Sequence, residues 1–172
     1  VTINSDAGGG LTLRDWREGD FGINLRDARQ SHTYTDLGPA IVGTESGETL
    51  SGTTGADLIQ ALGGSDTVHG DAGDDLIEGG TEDDALYGEA GFDRVYGGEG
   101  RDQIYGGADD DELYGGADSD ILEGGAGADR LVGEAGRDIV VGDEGDDELY
   151  AADRINLTDL PATVIAAETQ TG

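Results

Sequence analysis

A carboxylate stands at every ninth residue of the sequence between residues 43 and 150. Twelve nine-residue repeats follow one another there without insertion or deletion, and the sixth position of each repeat is acidic. Ligand sets made only of oxygen select hard cations, and a flexible set of about six or more oxygens favours Ca²⁺ over Mg²⁺. The acidic row therefore predicts a series of calcium sites. It consists of Glu48, Asp57, Asp66, Asp75, Asp84, Asp93, Asp102, Asp111, Asp120, Asp129, Asp138 and Asp147.

The other positions of the repeat predict an all-β fold. The eighth position is aliphatic in every repeat, and the first is glycine in all repeats except the third, where Ala61 stands. Because side chains alternate between the two faces of a strand, each repeat is predicted to form a six-residue loop and a three-residue strand. Nine residues are too few for a crossover helix between parallel strands. The sequence therefore predicts a right-handed parallel β-roll, which is a β-solenoid with two nonapeptides in each turn.

Two repeats per turn make residues 18 positions apart neighbours in a sheet. At the ninth position, Tyr87 then lies beside Tyr105, and Tyr96 lies beside Tyr114. Matched cross-strand pairs of this kind stabilise sheets. At the seventh position of the even-numbered repeats, charges alternate along the last four residues of a column. That column is Leu58, Leu76, Arg94, Glu112, Arg130 and Glu148.

The same stacking predicts which loops share an ion. An aspartate at the sixth position can lie between two stacked loops and bind the ion above and the ion below, which gives up to about ten calcium ions. We expect the sites that involve Glu48, Ala61 and Glu82 to be the weakest, because these residues depart from the pattern. Glycines let the loops turn backbone carbonyls inward. The expected carbonyl donors are Gly70, Gly73, Gly79, Gly88, Gly97, Gly106, Gly115, Gly124, Gly127 and Gly133.

The overall composition is strongly acidic, with a net charge of -30 at pH 7. Nucleic acids and anionic membrane surfaces both need a basic footprint, so neither is expected as a partner. No apolar run is long enough to span a bilayer, and no cysteine is present to form a disulfide. High charge with low hydrophobicity is also typical of disorder. A disordered tract, however, has no reason to keep an aliphatic residue at every ninth position.

The segments on either side of the repeats are predicted to be small accessory units. Residues 1–28 are expected to form two or three short antiparallel strands as an N-terminal β cap, with Trp16 and Phe21 in a small core. Residues 29–42 form a polar connector, and residues 151–172 a C-terminal cap or spacer. The expected strands are Val1–Ile3, Leu11–Leu13 and Phe21–Leu25 in the cap and Ala40–Val42 in the connector.

An apolar patch near the end of the roll needs a cover. Ile121, Ile139 and Val141 are expected to face outward from one sheet. The terminal turns of a solenoid also expose unpaired strand edges. We therefore expect residues 155–166 to fold back over this patch or to continue the roll as a cap.

The consensus of the repeats, GGxGxDxUx with U aliphatic, resembles the RTX nonapeptide, also called the hemolysin-type calcium-binding repeat. The resemblance implies a calcium-bound parallel β-roll over residues 43–150. Residues 11–25, LTLRDWREGDFGINL, also resemble the end of the small domain that precedes such repeats, and residues 150–172 resemble a spacer between repeat blocks. The chain begins with Val1, which indicates a segment of a longer protein.

The resemblance also implies a role for the module. It implies a secreted bacterial protein that is exported by type I secretion, stays unfolded at the low calcium concentration of the cytosol and folds outside the cell. The module then serves the secretion, folding and stability of a larger polypeptide such as a toxin, hydrolase or adhesin. The alternative is a module that binds a polysaccharide or a cell surface, with exposed tyrosines and arginines as the contacts to the glycan.

No enzyme activity is predicted for this chain. The sequence contains neither an HExxH motif nor a nucleophile elbow, and its only histidines are His32 and His69. The regularly spaced carboxylates are explained as metal ligands. EF-hands are not expected either, because the acidic loops lack flanking helices and the glutamate at the twelfth loop position.

Overall fold

The computed structural model describes residues 2–5, 11–14 and 37–151. The chain divides into two compact units, and the first covers residues 1–33. In that unit, strand β1 (Thr2–Ser5) pairs antiparallel with strand β2 (Leu11–Arg14). These strands correspond to the first two strands expected near the N-terminus. Three further expectations lie outside the described residues: the strand at Phe21–Leu25, the core around Trp16, and the cover formed by residues 155–166.

The second unit contains two parallel β-sheets. The chain alternates between them, so that each turn adds one strand to each sheet. The seven-stranded sheet contains β3 (Ile41–Val42), β5 (Leu58–Gly63), β7 (Leu76–Thr81), β9 (Arg94–Glu99), β11 (Glu112–Ala117), β13 (Arg130–Ala135) and β15 (Glu148–Tyr150). The six-stranded sheet contains β4 (Thr49–Ser51), β6 (Thr67–His69), β8 (Ala85–Ala90), β10 (Gln103–Ala108), β12 (Ile121–Ala126) and β14 (Ile139–Glu144). No helix occurs among the described residues, and the predicted all-β parallel β-roll is confirmed.

The register of both parallel sheets joins residues 18 positions apart, as predicted. Leu113, for example, lies opposite Val95 on one side and Leu131 on the other. The rings of Tyr87 and Tyr105 stack with their centroids 5.0 Å apart. Each turn of the roll therefore consists of two nonapeptides. Two further stacked pairs are His69 with Tyr87 and Tyr96 with Tyr114.

The charged column on the outer face of the seven-stranded sheet also has the predicted register. Arg94 Nε donates a hydrogen bond to Glu112 at 2.6 Å. Arg130, one turn further, donates to the Tyr114 hydroxyl at 2.7 Å, and its guanidinium carbon lies 5.3 Å from the centre of the Tyr150 ring. The end of the column is thus held by tyrosine contacts in addition to the alternation of charge.

Most strands are twice as long as predicted. The expected three-residue strands occur at β4, β6 and β15, whereas most others have six residues and run on into the first three positions of the next repeat. In β11, for example, Leu113 and Gly115 are both buried, and Asp111 just before the strand is buried as well. Alternate residues at positions six, eight and one therefore all face the interior. Glycine at position one lets the strand continue there without placing a side chain beside the carboxylate.

The interior between the sheets contains the aliphatic side chains of position eight, one column from each sheet, together with Ala61. Its central members are completely buried, whereas Leu149 in the last repeat remains 45% exposed. Leu50 and Val140 are partly buried and pack against these columns near their two ends. The core therefore becomes less enclosed toward the end of the repeats. The fully buried members are Ile59, Val68, Ile77, Leu86, Val95, Ile104, Leu113, Leu122 and Leu131.

Truncating one core side chain is expected to weaken the roll according to its depth. Leu113→Ala should lower the free energy of unfolding by about 2–5 kcal/mol, because it leaves a cavity between two packed turns. Leu149→Ala removes the same atoms from a half-exposed site and should cost much less. Urea unfolding followed by circular dichroism in saturating calcium compares the two variants. Equal losses in the two variants would contradict the expected dependence of the loss on burial.

Candidate metal centre

The loops of repeats three to twelve share one unusual backbone conformation. Their second and fourth residues all have positive φ, between 64° and 154°. This left-handed region suits glycine and is uncommon for other residues. Ala61–Leu62 and Glu82, which were expected to distort their sites, lie in loops with the same backbone as the rest. Eight non-glycine residues adopt this conformation: Leu62, Asp71, Glu82, Glu89, Asp109, Asp118, Glu134 and Asp143.

One oxygen of each sixth-position aspartate ties two successive turns together. The backbone N–H of Asp93 donates to Oδ1 of Asp111 at 2.8 Å, and the same contact recurs through the roll, up to Asp129 N–H and Asp147 Oδ1 at 3.0 Å. The carbonyl of Asp93 in turn accepts from the N–H of Glu112. The carboxylates are therefore part of the hydrogen-bonded ladder that holds the loops in register.

The other carboxylate oxygen has no hydrogen-bond partner. Nine Oδ2 atoms are fully buried without a donor, and they are the only such side-chain atoms in the described part of the chain. A buried anionic oxygen without a partner is strongly destabilising. A bound cation would satisfy these atoms. They belong to Asp66, Asp75, Asp84, Asp93, Asp102, Asp111, Asp120, Asp129 and Asp138.

Backbone carbonyls converge on the same places as these oxygens. A Cβ atom added to Gly79 would lie 2.6 Å from Asp84 Oδ2 and 2.7 Å from the carbonyl oxygen of Gly97, which belongs to the next turn. An unpartnered carboxylate oxygen and a carbonyl oxygen therefore face one small space between two loops. The same convergence occurs at Gly70, Gly88, Gly97, Gly106, Gly115 and Gly124.

The carbonyls of the second and fourth residues also point toward the next loop. The carbonyl of Gly80 points at Gly98, and the carbonyl of Glu82 points at Gly100. Gly73 and Gly127 at the fourth position were predicted as carbonyl donors, whereas no residue at the second position was. The recurrent second glycine of the GG pair could have revealed the carbonyl at that position, because a left-handed residue reorients the adjacent carbonyls.

Carbonyl oxygens would supply most of the ligands of any bound ion. Within the described ranges, no three acidic or imidazole side chains converge on one point. A site between two loops therefore combines carboxylate oxygen with several backbone carbonyls. Such a donor set fits a hard divalent cation with flexible coordination.

Burial makes the aspartates poor anions in the absence of a cation. It raises the pKa of Asp93 and Asp111 to about 8 and the pKa of Asp75 and Asp102 to about 7. A donated backbone N–H lowers these values in part, and neighbouring carboxylates raise them further. A cation between the loops would supply the charge that keeps the aspartates ionised. The pKa is raised to about 6 for Asp84, Asp120 and Asp129.

The first two loops differ from the other ten. Glu48 Oε1 accepts the N–H of Thr44 at 2.5 Å, and Asp57 Oδ2 accepts the N–H of Thr53 at 2.7 Å. Neither loop has a left-handed residue at its second or fourth position. Both carboxylates were predicted as metal ligands together with the other ten. Threonine at position two is the sequence signal that distinguishes these two loops, since β-branched side chains disfavour the left-handed region.

Two parallel sheets joined by loops whose carboxylate and carbonyl oxygens face each other define a metal-binding β-roll. The chain belongs to the RTX calcium-binding nonapeptide repeat family. The family model spans four copies of the repeat, and it matches residues 42–77, 78–113 and 114–149. A search of the curated proteins found none that matches. Among the described residues, no helix has the length and hydropathy of a membrane span.

Proposed function

We propose that this chain is a structural module whose loops bind calcium ions between successive turns, and that the bound calcium completes the fold. The observation that carries the proposal is the row of nine buried Oδ2 atoms without hydrogen-bond donors. Each is held in place by the hydrogen bond to Oδ1 of the same carboxylate, as at Asp111. Most also face a carbonyl oxygen from the next turn.

The weakness of the core explains why the fold depends on metal. Each nonapeptide places one aliphatic side chain in the interior and must order nine residues, many of them glycine. Backbone ordering of that length costs more than one buried side chain returns. The stack also places a carboxylate over another carboxylate at each turn. A divalent cation in each interloop space supplies the positive charge that this arrangement lacks.

The residues of the chain have separable tasks in this proposal. The sixth-position aspartates hold the loops in register through Oδ1 and offer Oδ2 as a ligand. The glycine at position one of repeats four to ten leaves the space free, because a Cβ there would collide with Oδ2 and with the next carbonyl. The third repeat has Ala61 at this position. The left-handed second and fourth residues aim further carbonyls between the loops. Whether one aspartate binds two ions stays a prediction, since one of its oxygens already accepts an N–H.

A calcium-dependent fold supports a role in export. A chain of net charge -30 with so small a core stays extended where calcium is scarce. It would acquire its structure after release into a calcium-rich exterior. We therefore propose a secreted bacterial module, exported by type I secretion, that stabilises a larger parent polypeptide. The role is structural and involves no catalysis by this segment.

Calcium binding is expected to be stoichiometric and selective. Equilibrium dialysis of the full chain against labelled calcium, with the ion content measured by atomic absorption, should give several ions per chain. Magnesium in excess should displace few of them, because it requires a small octahedral site and dehydrates reluctantly. A chain that retains no calcium, or that exchanges it freely for magnesium, would refute the proposal.

A groove along the N-terminal ends of β6, β8, β10 and β12 in the six-stranded sheet favours glycan binding as a second function. It has a volume of about 510 Å³ and a mainly polar lining, which includes Thr67, Arg101, Gln103 and Ser119 together with the carboxylates of Asp66, Asp83, Asp84 and Asp102. Arg101 also forms an ion pair with Asp83 beside it. Such groups can hydrogen-bond sugar hydroxyls. Calorimetric titration of the calcium-loaded chain with acidic and neutral polysaccharide fragments tests this function. The absence of binding heat with both kinds of fragment would refute it.

A further inference from the structure

We infer that the metal-binding array begins at the third repeat and that the first two loops form a metal-free N-terminal cap of the roll. The inference rests on the proposed calcium function and specifies which loops carry it. It concerns the repeats that contain Glu48 and Asp57. Both residues satisfy the acidic pattern in sequence, yet both have a different environment in the structure.

The loop of the second repeat is closed, because its carboxylate accepts hydrogen bonds from the same loop. Asp57 Oδ2 accepts the backbone N–H of Thr53 at 2.7 Å and the Thr53 hydroxyl at 2.9 Å. The residue is 97% buried, as are the corresponding aspartates of the third to tenth repeats. Its oxygen is therefore fully satisfied without a cation. In every repeat from the third to the eleventh, the corresponding oxygen has no donor.

The first repeat is closed in the same manner. Glu48 Oε1 accepts the N–H of Thr44. A Cβ atom on Gly43 would lie 2.5 Å from this oxygen and 2.6 Å from the carbonyl of Ala61. The glutamate oxygen thus occupies the place that Oδ2 has in later loops. The additional methylene of glutamate is accommodated by folding the side chain back onto its own loop.

Donor groups that point into a site oppose a cation. The N–H groups of Thr44 and Thr53 present the positive ends of their dipoles where an ion would have to bind. To bind calcium, either loop would lose these hydrogen bonds and move its second residue into the left-handed region. Threonine disfavours that region because its Cβ is branched. Leu62 is left-handed at the same position of the third repeat, and it lacks both the branch at Cβ and the hydroxyl.

The inference changes the number of ions expected. We call a loop open when its second and fourth residues are left-handed. A site needs two open loops one turn apart. The odd repeats from three to eleven provide four such pairs, and the even repeats from four to twelve provide another four. Eight ions are therefore expected, where the acidic pattern alone allows ten, and the ion of the third repeat should be the most weakly bound because buried Ala61 replaces glycine there. The carboxylates that face a further open loop are those of Asp66, Asp75, Asp84, Asp93, Asp102, Asp111, Asp120 and Asp129.

A metal-free end suits the architecture of a solenoid. Terminal repeats have a neighbour on one side only, and stable solenoids carry modified repeats there. Loops closed by their own side chains keep their structure without an ion between them and the next turn. They also lie beside β3 and β4, which begin the two sheets. The two closed loops thus give the roll a first turn whose hydrogen bonds do not depend on calcium.

Native mass spectrometry of the full chain, with calcium counted as bound mass, tests the inference. Wild type is expected to hold eight ions. Asp57→Asn should leave that number unchanged, because the amide oxygen still accepts the N–H of Thr53. The matched control Asp93→Asn makes the same change at an open site and should lose at least one ion. Thr53→Gly should gain one, because it removes the hydroxyl and frees the second position to become left-handed.

Several outcomes would overturn the inference. Asp57→Asn that loses as many ions as Asp93→Asn would show that the second loop binds metal. If the Thr53→Gly variant folds and gains no ion, Thr53 is not the residue that keeps calcium out of the second loop. Circular dichroism in saturating calcium confirms that each variant is folded. A wild-type chain with no bound calcium would instead refute the proposed function itself, and a calcium-bound chain with equal losses would refute only the cap.

Discussion

Removing calcium is expected to unfold the β-roll. In excess chelator, the far-UV circular dichroism of the full chain should lose most of its strand signal, and excess calcium should restore it. The physical reason is that nine buried carboxylate oxygens have no donor in the protein. An uncompensated buried charge typically costs several kcal/mol. The summed cost over the stack exceeds the few kcal/mol that separate folded from unfolded chains of this size.

The transition should also be steep. Each aspartate contacts the loop one turn before it through Oδ1, as Asp102 N–H and Asp120 Oδ1 do at 2.9 Å. A site that fills therefore orders a ligand of its neighbour. Stacked repeats that stabilise each other in this way fold with nearest-neighbour cooperativity. Calcium titrated against the strand signal should thus give a Hill coefficient well above one.

Ionic strength is the control for this experiment. Salt also weakens repulsion among exposed carboxylates, with a screening length of about 8 Å at physiological ionic strength. Potassium chloride matched to the ionic strength of the calcium solution should leave the chain unfolded, because diffuse ions do not enter the interloop spaces. A full strand signal in chelator, or as much folding in potassium chloride as in calcium, would contradict the proposal that specific ions complete the core.

The register of the fold could be predicted from the sequence, whereas the strand lengths could not. The insertion-free repeat fixes residues 18 apart as neighbours, and Tyr87 with Tyr105 and Arg94 with Glu112 confirm it. Positions one to three were predicted as part of the loop, and glycine, which is frequent there, has a low strand propensity. Burial of Gly115 shows why glycine lies within a strand there. In repeats four to ten, the interior beside the carboxylate has no room for a side chain.

The closed loops show the limit of pattern reasoning at the site. Asp57 and Asp75 stand at identical positions of the repeat, and only the second lacks a donor for Oδ2. The difference arises from Thr53, whose N–H and hydroxyl compete for the carboxylate. Side-chain hydrogen bonds to nearby backbone commonly offer a loop such an alternative conformation. A consensus sequence records that threonine replaces glycine at position two, but it does not show the hydrogen bonds that the threonine makes.

Acidification is expected to have opposite effects on the metal-free and calcium-loaded roll. Without metal, burial raises the pKa of Asp93 and Asp111 to about 8 in the folded chain, against about 4 for an exposed aspartate. Between these values the folded chain binds more protons than the unfolded chain. The free energy of unfolding therefore rises as the pH falls through this window. This added stability is lost again as the pH rises through about 8.

The metal-free chain should thus gain strand signal in chelator as the pH is lowered from about 8 to about 5, since protons neutralise the carboxylates that calcium otherwise neutralises. With calcium present, protons compete for the same oxygens, so the calcium concentration at half-folding should increase over the same range. Circular dichroism in the two series measures both effects. Asp93→Asn combined with Asp111→Asn is the matched control and should weaken both pH dependences near pH 8, because an amide does not titrate, while Asp75 and Asp102, whose pKa is raised to about 7, still take up protons at lower pH. A metal-free chain that loses strand signal on acidification would contradict the linkage between proton uptake and folding at these two residues.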